Sequence, residues 1–151
     1  MSGREPISGI FDQGVHILPL RVYYEDTDTA GIVYYANYLR FIERARTEVL
    51  RLCGVDQYKL MSGPAEERVS FVVTRCEIDY LVPAKLDDII EVRTRIVRLR
   101  GASIHMQQDI WRGDELLIKS LVKAACLNHN DLPTRLPKNF VNRARELLPL
   151  D

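Results

Sequence analysis

Two acidic residues stand just ahead of a glycine and a predicted helix. Asp26 and Asp28 lie in the stretch 23–46, YYEDTDTAGIVYYANYLRFIERAR, where a strand-like start leads through an acidic turn and Gly31 into a long helix. The first turn of a helix has backbone N–H groups without internal partners and a partial positive charge, so it can polarise a carbonyl or hold a developing oxyanion. A carboxylate facing those donors is equipped to drive hydrolysis.

The spacing predicts different roles for the two carboxylates. Asp26 directly follows Glu25 and fits a turn or capping residue. Asp28 lies three residues before Gly31, which can take a positive φ and let the backbone reverse, so we expect the Asp28 side chain to point inward. The spacing alone leaves a second interpretation open, because aspartate is also among the residues that most often cap a turn or helix.

The order of residues in this stretch resembles a known enzyme signature. The run D-T-D-x-x-G-I-V-Y-Y-x-N-Y, followed by F-x-E-x-A-R, is similar to that of the 4-hydroxybenzoyl-CoA thioesterase branch of the hotdog-fold enzymes. The greatest similarity is to the acyl-CoA thioesterases that accompany the Tol-Pal envelope system of Gram-negative bacteria. Later stretches agree with the same branch, so the resemblance extends along most of the chain: FVVTRCEIDYLVPAKLDDIIEV, RLRGAS and the closing LPK.

The resemblance implies a reaction and two catalytic groups. Asp28, the second aspartate of D-x-D, matches the catalytic carboxylate, and the backbone N–H at Tyr35 matches the group that polarises the thioester carbonyl. The expected reaction is hydrolysis of a short-chain or aromatic acyl-CoA to free acid and coenzyme A, with no metal or redox cofactor. Asp28 acts there either as general base or as nucleophile, and the sequence leaves both roles open. Many Tol-Pal-associated members have histidine at this position, whereas this chain has Tyr35. The tyrosine argues against a catalytic role for an imidazole, but the backbone N–H donor is present with either side chain.

A second group of residues is suited to holding phosphates. Arg98 and Arg100 flank the turn formed by Gly101, Ala102 and Ser103. Arginine donors match phosphate geometry and a glycine lets backbone N–H groups approach closely, so this segment could bind the coenzyme A phosphates. A solvated hairpin end with ordinary surface charge is the alternative, and similarity to the family's CoA-contacting segment favours the phosphate site.

Two further carboxylates lie on the predicted central helix. Some other hotdog branches use a helical carboxylate as catalyst, so Glu43 is the alternative candidate. The spacing predicts ion pairs instead, between Glu48 and Arg44 and between Glu43 and Arg46. The competing function is a binding module with weak or no catalysis, in which Arg98 and Arg100 would contact an acyl carrier protein or an envelope-system partner.

The hydrophobic periodicity predicts an α+β chain. A three- and four-residue stripe predicts a long helix, and period-two runs predict antiparallel strands joined by short connectors. The resemblance implies a hotdog fold, in which a five-stranded antiparallel sheet wraps around the central helix. Unpaired edge strands favour a homodimer or homotetramer, and the resemblance puts the active site at the dimer interface. The predicted elements are strands at 16–24, 69–81, 88–99, 102–111 and 116–128 and helices at 36–53 and 140–148.

Composition narrows the function classes. The 151 residues suit one domain, residues 1–151, with a loose segment at about 1–15. The chain has 21 basic residues (Lys plus Arg) and 21 acidic residues (Asp plus Glu). Its net charge therefore does not attract nucleic acid or an anionic membrane. The N-terminal segment lacks a signal-peptide core and no apolar run reaches bilayer-spanning length, which predicts a cytoplasmic protein. Three scattered cysteines and three scattered histidines argue against a disulfide framework and a zinc site.

Overall fold

Six antiparallel strands form the sheet of this protein, in the order β1-β2-β4-β5-β6-β3. The structure is a computed structural model, and it describes residues 3–150. The helix α1 packs against one face of the sheet, and the other face points away from the helix. In chain order the elements are β1 (Ile10–Asp12), β2 (Val15–Arg21), α1 (Tyr38–Leu52), α2 (Gln57–Ser62), β3 (Ser70–Tyr80), β4 (Ile89–Arg100), β5 (Ser103–Arg112), β6 (Glu115–Leu127) and α3 (Lys138–Leu147).

The predicted α+β hotdog architecture is confirmed, with one strand more than expected. The five predicted strands are β2 to β6, and the long helix and the C-terminal helix are both present. The strand count was wrong because β1 has only three residues, too few to produce an alternating pattern. It pairs with β2 through Gln13 and Gly14, whose φ values of 50° and 79° form the tight hairpin turn that suits sheet twist.

The helix α1 is buried along one stripe. Phe41, Ile42, Ala45 and Val49 are inaccessible to solvent, at the three- and four-residue spacing that the sequence predicts. Leu39 has the same three-residue spacing from Ile42, which predicts that it belongs to this stripe, but it is 44% exposed. The helix is therefore not enclosed on several sides in the single chain, and its opposite side stays open.

The core has two parts, one at each end of α1. The first part surrounds the start of the helix, where Tyr38 packs with Val33 and Ala84. Tyr38 Oη accepts the Ala84 N–H at 2.9 Å, and the Ala84 carbonyl accepts the Val33 N–H at 2.9 Å. The second part lies at the end of the helix and is closed by α3 through Phe140. These contacts fix the segment before α1, which carries the acidic turn, against the sheet.

A buried glutamine joins α1 to the sheet beneath it. Gln108 in β5 donates from Nε2 to the Ile42 carbonyl and to Thr94 Oγ1, each at 3.0 Å. Its Oε1 accepts from Arg46 Nη1 at 3.1 Å. Since a buried polar group is costly unless it is hydrogen-bonded, these bonds specify the position of the helix on the sheet as well as stabilise it.

Buried His16 predicts a pH-dependent stability. Its Nε2 lies 2.7 Å from the Ser8 carbonyl, and burial lowers the pKa of His16 below its ordinary value of 6.5, although Ser8 and Glu48 act in the opposite direction. The unfolded chain then binds the proton more readily, so this contribution is intact above pH 6.5 and declines as the pH falls towards the folded pKa. Urea unfolding at pH 7.5 and 5.5 should show a larger loss of unfolding free energy in wild type than in His16→Gln. Equal losses in the two proteins would contradict this assignment.

Candidate active site

Asp28 lies in a tight turn just before α1. The turn connects Thr27 and Val33, which face each other in an isolated antiparallel bridge. The Asp28 N–H donates to the Ile32 carbonyl at 2.9 Å, and the Gly31 N–H donates to the Asp28 carbonyl at 3.1 Å. Gly31 has a φ of +76°, as its role in reversing the chain predicts. The turn therefore holds the backbone of Asp28 at both its N–H and its carbonyl.

The side chain of Asp28 is exposed, so the prediction that it points inward is wrong for the single chain. Asp28 Oδ1 accepts the Ala30 N–H at 2.8 Å, a local bond of the kind aspartate makes in turns. No partner within residues 3–150 bonds to Oδ2. One carboxylate oxygen thus fixes the side chain, and the other is open to a ligand or a water molecule.

Free amide donors stand at the entrance to α1. A short 3-10 turn, Tyr35–Asn37, precedes the helix, and within the described chain the N–H groups of Tyr35 and Ala36 make no hydrogen bond. The next amide, that of Asn37, donates to the Tyr34 carbonyl at 2.8 Å. Two consecutive N–H groups at the positive end of the helix dipole can stabilise an oxyanion.

The carboxylate and the helix entrance share one cavity. It has a volume of about 380 Å3, and its lining includes Asp28, Tyr34, Ala36 and Arg40. Sequence reasoning missed Arg40, although its position four residues after Ala36 puts both on one side of a helix. The cavity therefore combines a carboxylate, helix-entrance backbone and a cation.

The Tyr35 side chain points away from the protein interior. It is 62% exposed, and its ring lies 4.9 Å from that of Tyr34 and 6.1 Å from that of Tyr80 on β3, between ring centroids. We call these three residues the tyrosine patch. Contiguous exposed aromatic rings often mark interaction surfaces, so the patch and the adjacent β3 form a candidate interaction surface.

Arg98 and Arg100 project from the same face of the β4–β5 hairpin. A bulge between Ile96 and Arg98 shifts the register, so that Arg98 pairs with His105 and Arg100 with Ser103. Both arginines are exposed and lie about 7 Å apart along the strand. Gly101, with a φ of +59°, forms the turn between them and Ser103.

Arg98, His105 and Lys123 form one row across the outer face of the sheet. His105 is directly opposite Arg98 on one side and Lys123 on the other. Burial lowers the pKa of His105, and the charges of Lys123 and Arg98 lower it further. With its pKa lowered from 6.5, His105 is mostly uncharged at neutral pH, so Arg98, Arg100 and Lys123 supply the positive charge of this face. Cationic side chains grouped near the hairpin suit a phosphate site.

A single chain does not bring all the predicted site residues together. Asp28 and Tyr35 precede the first residue of α1, whereas the Arg98–Ser103 turn lies beside the core at the other end of that helix. The 15 residues of α1 span about 22 Å. The two groups of residues can belong to one site only if a second chain contributes one of them.

The two helical carboxylates differ in exposure, because Glu43 is exposed whereas the Glu48 side chain is only 20% exposed and its Oε2 is buried. Glu48 pairs with Arg51 at 3.8 Å, so the predicted partner Arg44 is wrong. Glu43 is exposed and acts electrostatically on the mostly buried Arg46, whose pKa is lowered by burial. Glu43 and Arg46 also line a cavity of about 300 Å3 between α1 and β3, whose apolar walls include Phe71.

Within residues 3–150, no group of three or more His, Cys, Asp or Glu side chains is placed to hold a metal ion. No helix in that same part of the chain is long and apolar enough to cross a membrane.

Comparison with known proteins identifies the family. The sequence profile of the Thioesterase superfamily matches residues 30–119. The chain belongs to this superfamily. The matched region begins just after Asp28 and includes the helix entrance and the arginine hairpin. The family resemblance predicted from the sequence is thereby confirmed.

Individual members of the superfamily match over most of their length. The chain is 46% identical to an acyl-CoA thioesterase, YbgC, of Haemophilus influenzae over 80% of this chain and 87% of that protein. It is 43% identical to the acyl-CoA thioester hydrolase YbgC of Escherichia coli, over 82% of this chain and 90% of that one. The crystal structure of a probable thioesterase from Bartonella henselae is 42% identical, with a TM-score of 0.77, over 82% of this chain and 99% of that one.

Proposed function

We propose that this protein is an acyl-CoA thioesterase that hydrolyses acyl-CoA to free acid and coenzyme A. The observation that carries the proposal is the cavity at the entrance to α1 that Asp28 and Ala36 both line. Asp28 keeps one free carboxylate oxygen there, and the amides of Ala36 and of its neighbour Tyr35 are unpaired among the described residues. The matching relatives are named as acyl-CoA thioesterases, which supports the same substrate class.

Each group has a defined role in this reaction. The N–H of Tyr35, with that of Ala36, hydrogen-bonds the thioester oxygen and stabilises the negative charge that develops there. Asp28 either removes a proton from the attacking water or attacks the carbonyl to give a mixed anhydride that water then cleaves. In both routes the coenzyme A thiolate leaves and takes up a proton. No residue in this scheme requires a metal or redox cofactor.

Coenzyme A would be held by the arginine hairpin of a second chain. Arg98 and Arg100 supply charge-assisted donors for phosphates, Ser103 supplies a hydroxyl, and Gly101 leaves the turn backbone accessible. Pairing two chains antiparallel along β3 would bring the start of one α1 beside the end of the other. One catalytic cavity and one arginine hairpin then lie at the same end of the dimer.

The proposal that the acyl group is small or aromatic is supported by the cavity beside Phe71. It measures about 300 Å3 and is lined by apolar residues of β3, β5 and β6 as well as by polar residues of α1. An acyl carrier protein as an alternative carrier of the acyl group, association with the Tol-Pal system and a cytoplasmic location stay predictions from sequence. A purely binding function is not favoured, because binding alone does not use the carboxylate beside the free amides.

We expect at least a homodimer, and a homotetramer of paired dimers is compatible with the same argument. β3 is an 11-residue edge strand whose residues are mostly exposed, and the tyrosine patch lies at its end. An unpaired edge of this length is a template for a second chain. Sedimentation equilibrium at micromolar concentration should show no stable species smaller than twice the 17.4 kDa chain mass. A stable monomer would remove the shared site.

A panel of acyl-CoAs tests the function directly. Release of free coenzyme A, followed with a thiol reagent, should be fastest with short-chain or aromatic acyl groups. A single methylene changes discrimination by only about 1–3 kcal/mol, so we expect graded differences among homologous chains. If no acyl-CoA is hydrolysed above the uncatalysed rate, the proposed function is wrong.

A further inference from the structure

A buried carboxylate connects the acidic turn to the helix entrance. Asp26 is only 5% exposed, and both of its oxygens are occupied. Oδ2 accepts the Tyr23 N–H at 2.7 Å, and Oδ1 accepts from Asn37 Nδ2 at 2.9 Å. The first bond is local to the turn, as the sequence predicts. The second spans 11 residues and reaches the last residue before α1.

The backbone reinforces this connection. The Tyr34 N–H donates to the Asp26 carbonyl at 3.0 Å, and the Asn37 N–H donates to the Tyr34 carbonyl at 2.8 Å. Asp26 therefore contacts the helix entrance through its carbonyl and its side chain. Asp28 follows it by two residues, and Tyr35 lies between the two residues of the entrance that Asp26 contacts, Tyr34 and Asn37.

We propose that Asp26 and Asn37 are positioning residues, which hold the carboxylate of Asp28 at a fixed place relative to the amides of Tyr35 and Ala36. This inference rests on the proposed function, since it assigns their role in the same site. Neither side chain needs to touch the substrate. A displacement of about 1 Å between reacting groups can cost on the order of 100-fold in rate, so a loss of these two bonds should reduce kcat.

The geometry requires two hydrogen bonds and not a negative charge. Asparagine at position 26 can accept the Tyr23 N–H through its carbonyl oxygen. Its amide can donate to Asn37 if the Asn37 side chain rotates to present its own oxygen. Alanine can make neither bond and leaves the Tyr23 N–H and the Asn37 amide unsatisfied.

Three variants test this inference. Asp26→Ala should lower kcat by about 10- to 100-fold with KM changed by less than about threefold, whereas Asp26→Asn should keep kcat within about threefold of wild type. Asp109→Ala is the matched control, because the partly buried Asp109 likewise accepts one backbone N–H, from Ser120 at 3.2 Å, and one side-chain amide, from Gln107 at 2.9 Å. We expect Asp109→Ala to be destabilised but to keep the wild-type kcat.

A double-mutant cycle separates positioning from general damage. In an Asp28→Asn background, measured with enzyme in excess, Asp26→Ala should lower the residual rate by less than about threefold, because the carboxylate that it positions is already gone. An undiminished kcat in Asp26→Ala, or the same fold loss in both backgrounds, would overturn the inference while leaving the thioesterase function standing. A wild-type protein that releases no coenzyme A would overturn the proposed function and this inference with it.

Discussion

Asp28→Asn is expected to abolish turnover while leaving the fold and coenzyme A binding nearly intact. Asparagine preserves the size of the side chain, and its carbonyl oxygen can still accept the Ala30 N–H that holds the turn. It cannot act as a base or as an anionic nucleophile at neutral pH. General-base catalysis alone contributes about 10²- to 10⁴-fold, so kcat should fall at least by that factor if Asp28 is the carboxylate involved.

Binding and stability measurements make this result interpretable. Isothermal titration with coenzyme A and thermal unfolding should give nearly the same values for wild type and Asp28→Asn, because the exposed carboxylate contributes little to packing. A variant that keeps kcat within tenfold of wild type would exclude Asp28 as the catalytic carboxylate. A variant that loses coenzyme A binding as well would assign Asp28 a structural role.

Neutralising Arg98 and Arg100 together should raise KM for acyl-CoA by about tenfold or more. Each hydrogen bond to a charged group contributes about 1.5–3 kcal/mol at full strength, and exposure reduces this value at the hairpin. The nucleotide is remote from the reacting carbonyl and is bound equally in the ground and transition states, so kcat should change little. Steady-state kinetics of the Arg98→Gln, Arg100→Gln double variant measures both parameters.

A substrate without the nucleotide supplies the control for the arginines. Wild type and double variant should hydrolyse a truncated pantetheine thioester at the same rate, since neither enzyme can use the phosphate contacts. An equal loss on acyl-CoA and on the truncated thioester would indicate damage to the fold or a direct catalytic role. His105, which pairs with Arg98, and Lys123, which pairs with His105 on the next strand, would then be the next residues to test as phosphate ligands.

Much of the fold follows from local patterns. The buried positions of α1 recur every three or four residues, and Gly54, with a φ of +87°, follows the helix end where the sequence predicts a stop. The five longer strands are equally predictable from their alternating patterns. The strand β1 was not predictable, because three residues carry no periodicity and its pairing depends on the hairpin turn and on β2.

The acidic turn was predictable only in part. Its position and the positive φ of Gly31 follow from residue types, but the exposure of Asp28 results from its bond to the Ala30 amide, which competes with an inward orientation. The bond between Asp26 and Asn37 is a tertiary contact, and no local pattern indicates it. The pairing of Glu48 with Arg51 instead of Arg44 reflects a choice between two helical spacings that local sequence leaves open.

The proposed arrangement of the whole site requires more than one chain. The arginine hairpin and the acidic turn lie at opposite ends of α1, so we expect their association only in an oligomer. The cavity to which we assign the acyl group has walls from α1, β3, β5 and β6. Such packing details vary by single methylene groups and leave no separate signature in the sequence.

The choice between the two candidate carboxylates tests the central claim most directly. Asp28 shares a cavity with Ala36 at the helix entrance, whereas Glu43 lies on α1 near Arg46. The measurement is kcat for Asp28→Asn and Glu43→Gln, side by side on the best acyl-CoA of the panel. The site at the turn predicts a fall of at least about 100-fold for Asp28→Asn and near-wild-type turnover for Glu43→Gln. An inactive Glu43→Gln with an active Asp28→Asn would contradict the account and move the catalyst to the helix.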